Sequence, residues 1–182
     1  MAADLALPPL PQLLPAALED YRFSSEANWL IRGHVLVGRY PGSCPSRPIT
    51  ASAQQALVES ILHAGVDTFV CLQAELPPQA EHAAACRAAP PSHRSFVPYF
   101  DDAKGADMLH FRIRDMRPAE SVEALDGLVR ELACRVRAGR VLYIHCWVDE
   151  EGREWSLPAF LAHYTQSWTA TVPLNECKLT LT

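Results

Sequence analysis

The chain has 182 residues, 49% of them hydrophobic, enough to bury one sizeable core. Its net charge of −5 and pI near 5.8 exclude the basic footprint that nucleic acid or an anionic membrane demands. No apolar run approaches the roughly 20 residues that cross a bilayer, so no membrane span is expected.

Residues 1–27 open with Pro8, Pro9, Pro11 and Pro15 in a leucine- and alanine-rich run, which breaks any regular helix and predicts a flexible leader. A domain is expected over 28–168. Its first element is a hairpin, residues 29–31 and 35–37, turning at Arg32-Gly33-His34. Thr50 is placed to cap a helix that runs to residue 63, with Ala53, Leu57, Ile61 and Leu62 at helical spacing and Gly65 as the stop.

Residues 66–72, VDTFVCL, form a β-branched and aromatic strand, and Glu75 after it reads as a solvated loop charge. An alanine-rich helix over 78–88 ends at Pro90-Pro91, and residues 95–100 form a short strand. Asp101, Asp102, Lys104 and Asp107 around Gly105 make a charged, solvated turn without the ligand order of a calcium loop. Leu109, Phe111 and Ile113 alternate with His110 and Arg112, the period of a half-buried strand. From Ala119 a helix carries Val122, Leu125, Leu128, Val129, Leu132 and Val136 on one face and stops at Gly139.

That helix delivers the chain into residues 140–153, RVLYIHCWVDEEGR. Val141 to Ile144 are an apolar strand ending on His145-Cys146, and Gly152-Arg153 close the turn that follows. A cysteine at such a strand end, ahead of a turn opening a helix, sits where backbone N–H groups favour an anion and hence a reactive thiolate. Residues 156–168 repeat at helical spacing, and 169–182 are an irregular tail. Six cysteines, Cys44, Cys71, Cys86, Cys134, Cys146 and Cys177, lie without a C-x-x-C pair or a secretory signal. That pattern predicts reduced thiols in a cytoplasmic protein, with nuclear or plastid residence as alternatives. His82, Cys86 and His93 are too loosely spaced for zinc, so neither a metal nor a cofactor is expected.

The stretch around Cys146 resembles the signature of the protein tyrosine phosphatase superfamily, HC-x5-R followed by Ser or Thr. Among its branches, small plant and algal phosphatases with a loop similar to HCWGGxGRTG match at His145, Cys146, Trp147, Gly152 and Arg153, and NWLIRGHVLVGRYPG is similar to their opening hairpin. Two departures stand inside the loop: six residues, Trp147 to Gly152, separate cysteine from arginine instead of five, and Glu154 replaces the hydroxyl residue.

The resemblance implies an α/β fold, a central mixed sheet flanked by helices, with an incomplete C-terminal helical part whose uncovered face would suit a protein partner. It implies a dual-specificity or tyrosine phosphatase acting on a phosphoprotein or other phosphomonoester. Cys146 would be the nucleophile forming a phosphocysteine, and His145 would brace the loop. Gly152 and Arg153 would bind phosphate, and Asp115 would serve as general acid. Each has a plainer reading: a buried strand thiol for Cys146, a packed strand-end side chain for His145, a carboxylate in a helix N-cap region ahead of Pro118 for Asp115, a solvated arginine for Arg153. Val148 resists the positive φ that a phosphate cradle uses, and Asp149, Glu150 and Glu151 put negative charge beside the dianion site. The expected activity is therefore impaired, and the alternatives are a pseudophosphatase serving as a binding or regulatory module, or a non-functional truncated splice product.

Overall fold

A computed structural model of the protein describes residues 21–76, 96–114 and 117–147. Their elements are β1 (Ala27–Ile31), β2 (Val35–Arg39), α1 (Ala51–His63), β3 (Thr68–Gln73), β4 (Asp107–Ile113), α2 (Val122–Arg137) and β5 (Leu142–Cys146). The hairpin of β1 and β2 is antiparallel and turns through Gly33 at φ 74°, a left-handed conformation that costs glycine nothing. All other pairings are parallel, in the order β1-β2-β5-β3-β4. The architecture is the expected α/β one: a mixed five-stranded sheet with a helix on each face.

Period-2 alternation divides the strands between two cores. Val35, Val70, Leu72, Leu142, Ile144 and Cys146 meet Leu125, Val129, Leu132 and Val136 of α2 on one face. Leu36, Phe69, Cys71 and Tyr143 meet Val58 and Ile61 of α1 on the other, together with Tyr40 and Tyr99 from loops. The three middle strands are nearly continuous in apolar residues because helices cover them on both sides.

Both helices begin where a hydroxyl satisfies a free N–H. Thr50 accepts from Ala53 at 3.2 Å and Ser121 from Ala124 at 3.1 Å. The second helix therefore starts at Val122 rather than at Ala119. The 95–100 strand expectation fails over its described part: residues 96–99 join no strand. Pro98 has no N–H to offer a ladder, and the Tyr99 carbonyl closes a turn by accepting from Asp102 and Ala103.

The charged turn is likewise not simply solvated. Asp107 opens β4 and accepts from Arg135 at 2.9 Å and Arg140 at 2.7 Å, fastening the end of α2 to the sheet. Asp102 accepts from Gln54 at 2.8 Å. Cys44, Cys71 and Cys146 are free thiols, but Cys134 is disulfide-bonded, which departs from the expectation of reduced thiols. Its partner lies outside the described residues, and linear spacing does not show which thiols a fold brings together. The expected helices over 78–88 and 156–168 also lie outside the described residues.

Candidate functional site

In open parallel sheets, ligand sites form beyond the carboxyl ends of the strands. Cys146 stands at that edge on the central strand, between Arg39 of β2, its register partner, and the end of β3. Its side chain belongs to the α2 face. His145, one residue earlier, belongs by alternation to the opposite face and is fully buried.

The histidine is held from a distant loop. Gln54, buried on α1, accepts from the Ser43 N–H at 3.0 Å and donates to the Pro98 carbonyl at 3.1 Å as well as to Asp102. The Tyr40 hydroxyl donates to the Val97 carbonyl at 2.8 Å, and the Val97 N–H donates to Ser43. These bonds seat the 96–103 loop so that the Tyr99 hydroxyl meets Nε2 of His145 at 2.6 Å. Around the imidazole, the rings of Tyr40, Tyr99 and Tyr143 lie at centroid distances of 5.6, 5.3 and 5.6 Å.

Burial in this aromatic box, reinforced by the nearby His110, pushes the His145 pKa down to about 3. The imidazole is therefore neutral at physiological pH. Burial also raises Tyr99 well above the usual phenol range, so its O–H remains in place and needs an acceptor. If Tyr99 donates to Nε2, the imidazole proton sits on Nδ1 and one buried group is left over. The reverse arrangement strands two, the phenol proton and the Nδ1 lone pair. The first tautomer is thus favoured.

Cys71 lies in register with His145 on β5 and with His110 on β4. Burial pushes its thiol up to about 12, against the opposing pull of the Gln73 backbone, so it stays an uncharged packing group. Gln73 ends β3 with 1% exposure, and neither atom of its carboxamide has a partner. The backbone carbonyl oxygen of Gln73 is in contact with Nε2 of His110 at 2.6 Å. Beside Cys146, the Trp147 indole donates to Ser46 at 2.9 Å and packs edge-on against Phe96.

Of the residues singled out from the sequence, Cys146 and His145 stand at this strand end, while Asp115, Gly152 and Arg153 lie outside the described residues. Sequence reading missed Tyr99, Gln54 and Gln73. Tyr99 carries no spacing signal because its partner is 46 residues away. Gln73 was detectable as the polar residue directly following an apolar strand.

The described residues define an α/β protein with a cysteine at the carboxyl edge of a central parallel strand. No family model matches the chain, and no curated protein matches it. Among solved structures it is similar to one described as "Crystal structure of Tk-PTP in the active form", at 21% identity and a TM-score of 0.43, over 85% of this chain and 92% of that one.

Proposed function

We propose that the protein is built on the plan of a cysteine-dependent phosphatase that hydrolyses a phosphate monoester through a phosphocysteine, with activity reduced by its altered loop. The observation that carries this reading is the placement of Cys146, on the central strand's carboxyl edge with His145 anchored behind it by Tyr99. A tyrosine or dual-specificity substrate is the class that the signature wording around Cys146 supports.

In this reading the Cys146 thiolate attacks phosphorus, the P–O bond to the leaving group breaks, and Asp115 protonates the departing oxygen. Arg153 and the backbone at Gly152 would hold the phosphoryl oxygens. Water then attacks the phosphocysteine, its proton passing to the Asp115 carboxylate, and the S–P bond breaks to release inorganic phosphate and regenerate the Cys146 thiolate. His145, neutral and buried, takes no part in proton transfer and serves to fix the strand end.

A second reading is favoured by a specific feature, the run Asp149-Glu150-Glu151 within a loop one residue too long. A carboxylate about 5 Å from a bound phosphoryl charge opposes it by about 3 kcal/mol per charge pair at an effective dielectric of about 20. The protein would then be a pseudophosphatase that keeps the scaffold as a binding module.

Hydrolysis of an aryl phosphate by the purified chain, with reductant and beside Cys146→Ser, separates the two. Turnover that disappears in the variant supports the enzyme. Equal background rates in a protein that still unfolds cooperatively sink the enzyme reading and leave the pseudophosphatase.

A further inference from the structure

Two buried polar groups on the α1 face stand without protein partners at the same strand ends: the Gln73 carboxamide, both atoms, and Nδ1 of His145. Cys71, the register partner of His145, and Gln73 are two residues apart on β3, and the register shift between them puts its extra residue in β4, between His110 and Ile113, so the alternation of β3 places Gln73 on the face of Cys71. Two rises along a strand and one strand spacing across put their Cα atoms about 8 Å apart. That gap suits a glutamine side chain, an imidazole and one small polar bridge between them. With Tyr99 donating to Nε2, the imidazole offers an N–H on Nδ1, and the Gln73 oxygen is the unpartnered acceptor nearest it in register. A buried water commonly joins such a pair, satisfying groups that burial alone leaves costly.

We propose that Gln73 is a positioning residue for the nucleophile's strand end, its carboxamide taking the His145 Nδ1–H through one bound water. Tyr99, His145 and Gln73 then form a single buried line beneath Cys146. Tyr99 fixes one nitrogen of the ring from the 96–103 loop, and Gln73 fixes the other from β3. The ring cannot rotate without breaking both. The line is independent of substrate, and only its value for turnover rests on the phosphatase reading.

The other groups facing the ring do not supply this bond, because Nδ1 of His145 has no hydrogen-bond partner among the described residues. The hydroxyl protons of Tyr40 and Tyr143 go to the Val97 carbonyl and, at 2.6 Å, the Arg39 carbonyl. His110 reaches the Gln73 backbone through Nε2, and Cys71 is held as a thiol. The Gln73 amide nitrogen remains free to donate to the same water or a second one.

The test is nitrogen-15 NMR of the full chain labelled at histidine, comparing the native protein, Gln73→Met and Gln73→Glu. The native protein should show His145 as the Nδ1–H tautomer with a ring proton protected from exchange. Gln73→Met, similar in shape and without a strong acceptor, should move that proton upfield and speed its exchange at least tenfold. Gln73→Glu, which keeps the acceptor, should retain the protection. An unchanged His145 signal in a folded Gln73→Met protein overturns the proposal. So does a native ring proton that exchanges freely, which needs no variant to observe. Absence of phosphatase turnover with the coupling intact would defeat the enzyme reading and leave the Gln73 line standing.

Discussion

The Tyr99 hydroxyl lies 2.6 Å from Nε2 of His145, so the residue preceding the candidate nucleophile is anchored by a loop from the other side of β4 in the chain. Removing that hydroxyl leaves a buried imidazole nitrogen with no partner. Tyr99→Phe is expected to cost about 1–3 kcal/mol. Urea unfolding checks this, and a midpoint equal to that of the native protein would show that the bond contributes nothing net.

Acid should weaken the fold through the same histidine. Its folded pKa is depressed to about 3 from an ordinary 6.5. Between those values the unfolded chain takes up a proton that the native protein refuses. Stability is therefore full above pH 6.5 and falls as pH drops toward 3, by on the order of 4 kcal/mol at pH 3.5 from this group alone. Unfolding free energies between pH 7 and 4 measure the slope. His145→Phe, if it folds, should flatten that slope by about one proton's worth.

Alkali acts through Cys71. Its thiol is raised from 9.0 to about 12 by burial. The unfolded chain loses this proton first, so the contribution is intact below pH 9 and is lost as pH climbs toward 12. At pH 8 the native protein should leave Cys71 unmodified by iodoacetamide while the denatured chain reacts at once. Mass spectrometry of the modified peptides reads this directly, and rapid native labelling at Cys71 would contradict its closed environment.

Asp107 ties the end of α2 to the sheet through Arg135 and Arg140. Arg135 is mostly buried and keeps Glu131 as a second partner at 2.8 Å, so losing the aspartate does not leave it alone. Asp107 itself is 41% exposed, and solvent screens its charge. Asp107→Ala should therefore cost only about 1–2 kcal/mol. A double-mutant cycle with Arg140→Ala should return a coupling under about 1 kcal/mol.

Much of this fold can be read along the chain, because its elements follow local rules. The hairpin turns at Gly33, the helices start at Thr50 and shortly after Pro118, and the helical stripe from Leu125 to Val136 lands on one core, whereas Val122, expected on the same face, stays exposed in the first turn. The strand order is less visible: β5 enters last and inserts between β2 and β3, a placement set by packing across the whole chain. Cys146 and His145 were legible because they close an apolar strand. Tyr99 was not, since an aromatic residue in a proline-containing run carries no periodicity and its contact is long-range. Gln54 shows the same limit, being a polar residue in a helix whose buried role depends on a loop 44 residues away.

Two glycines separate freedom from necessity. Gly127 lies in the exposed middle of α2, and a Cβ there meets nothing within 4 Å. Gly127→Ala removes backbone entropy from the unfolded chain and should stabilise by about 0.5–1 kcal/mol. Gly42 is the opposite case. A Cβ there would lie 2.3 Å from the Val97 carbonyl oxygen and 2.6 Å from the Tyr40 ring, neither of which is the loose end of a flexible side chain. Gly42→Ala must push the 96–103 loop outward, breaking the Tyr40 bond to Val97 and drawing Tyr99 away from His145. A loss of about 1–3 kcal/mol is expected from overpacking, with the acid slope reduced because the imidazole becomes wetter. Thermal unfolding of both variants at pH 7 and pH 5 checks the pair. A Gly42→Ala protein as stable as the native one at both pH values would mean that the loop, and with it the Tyr99 anchor, yields without cost.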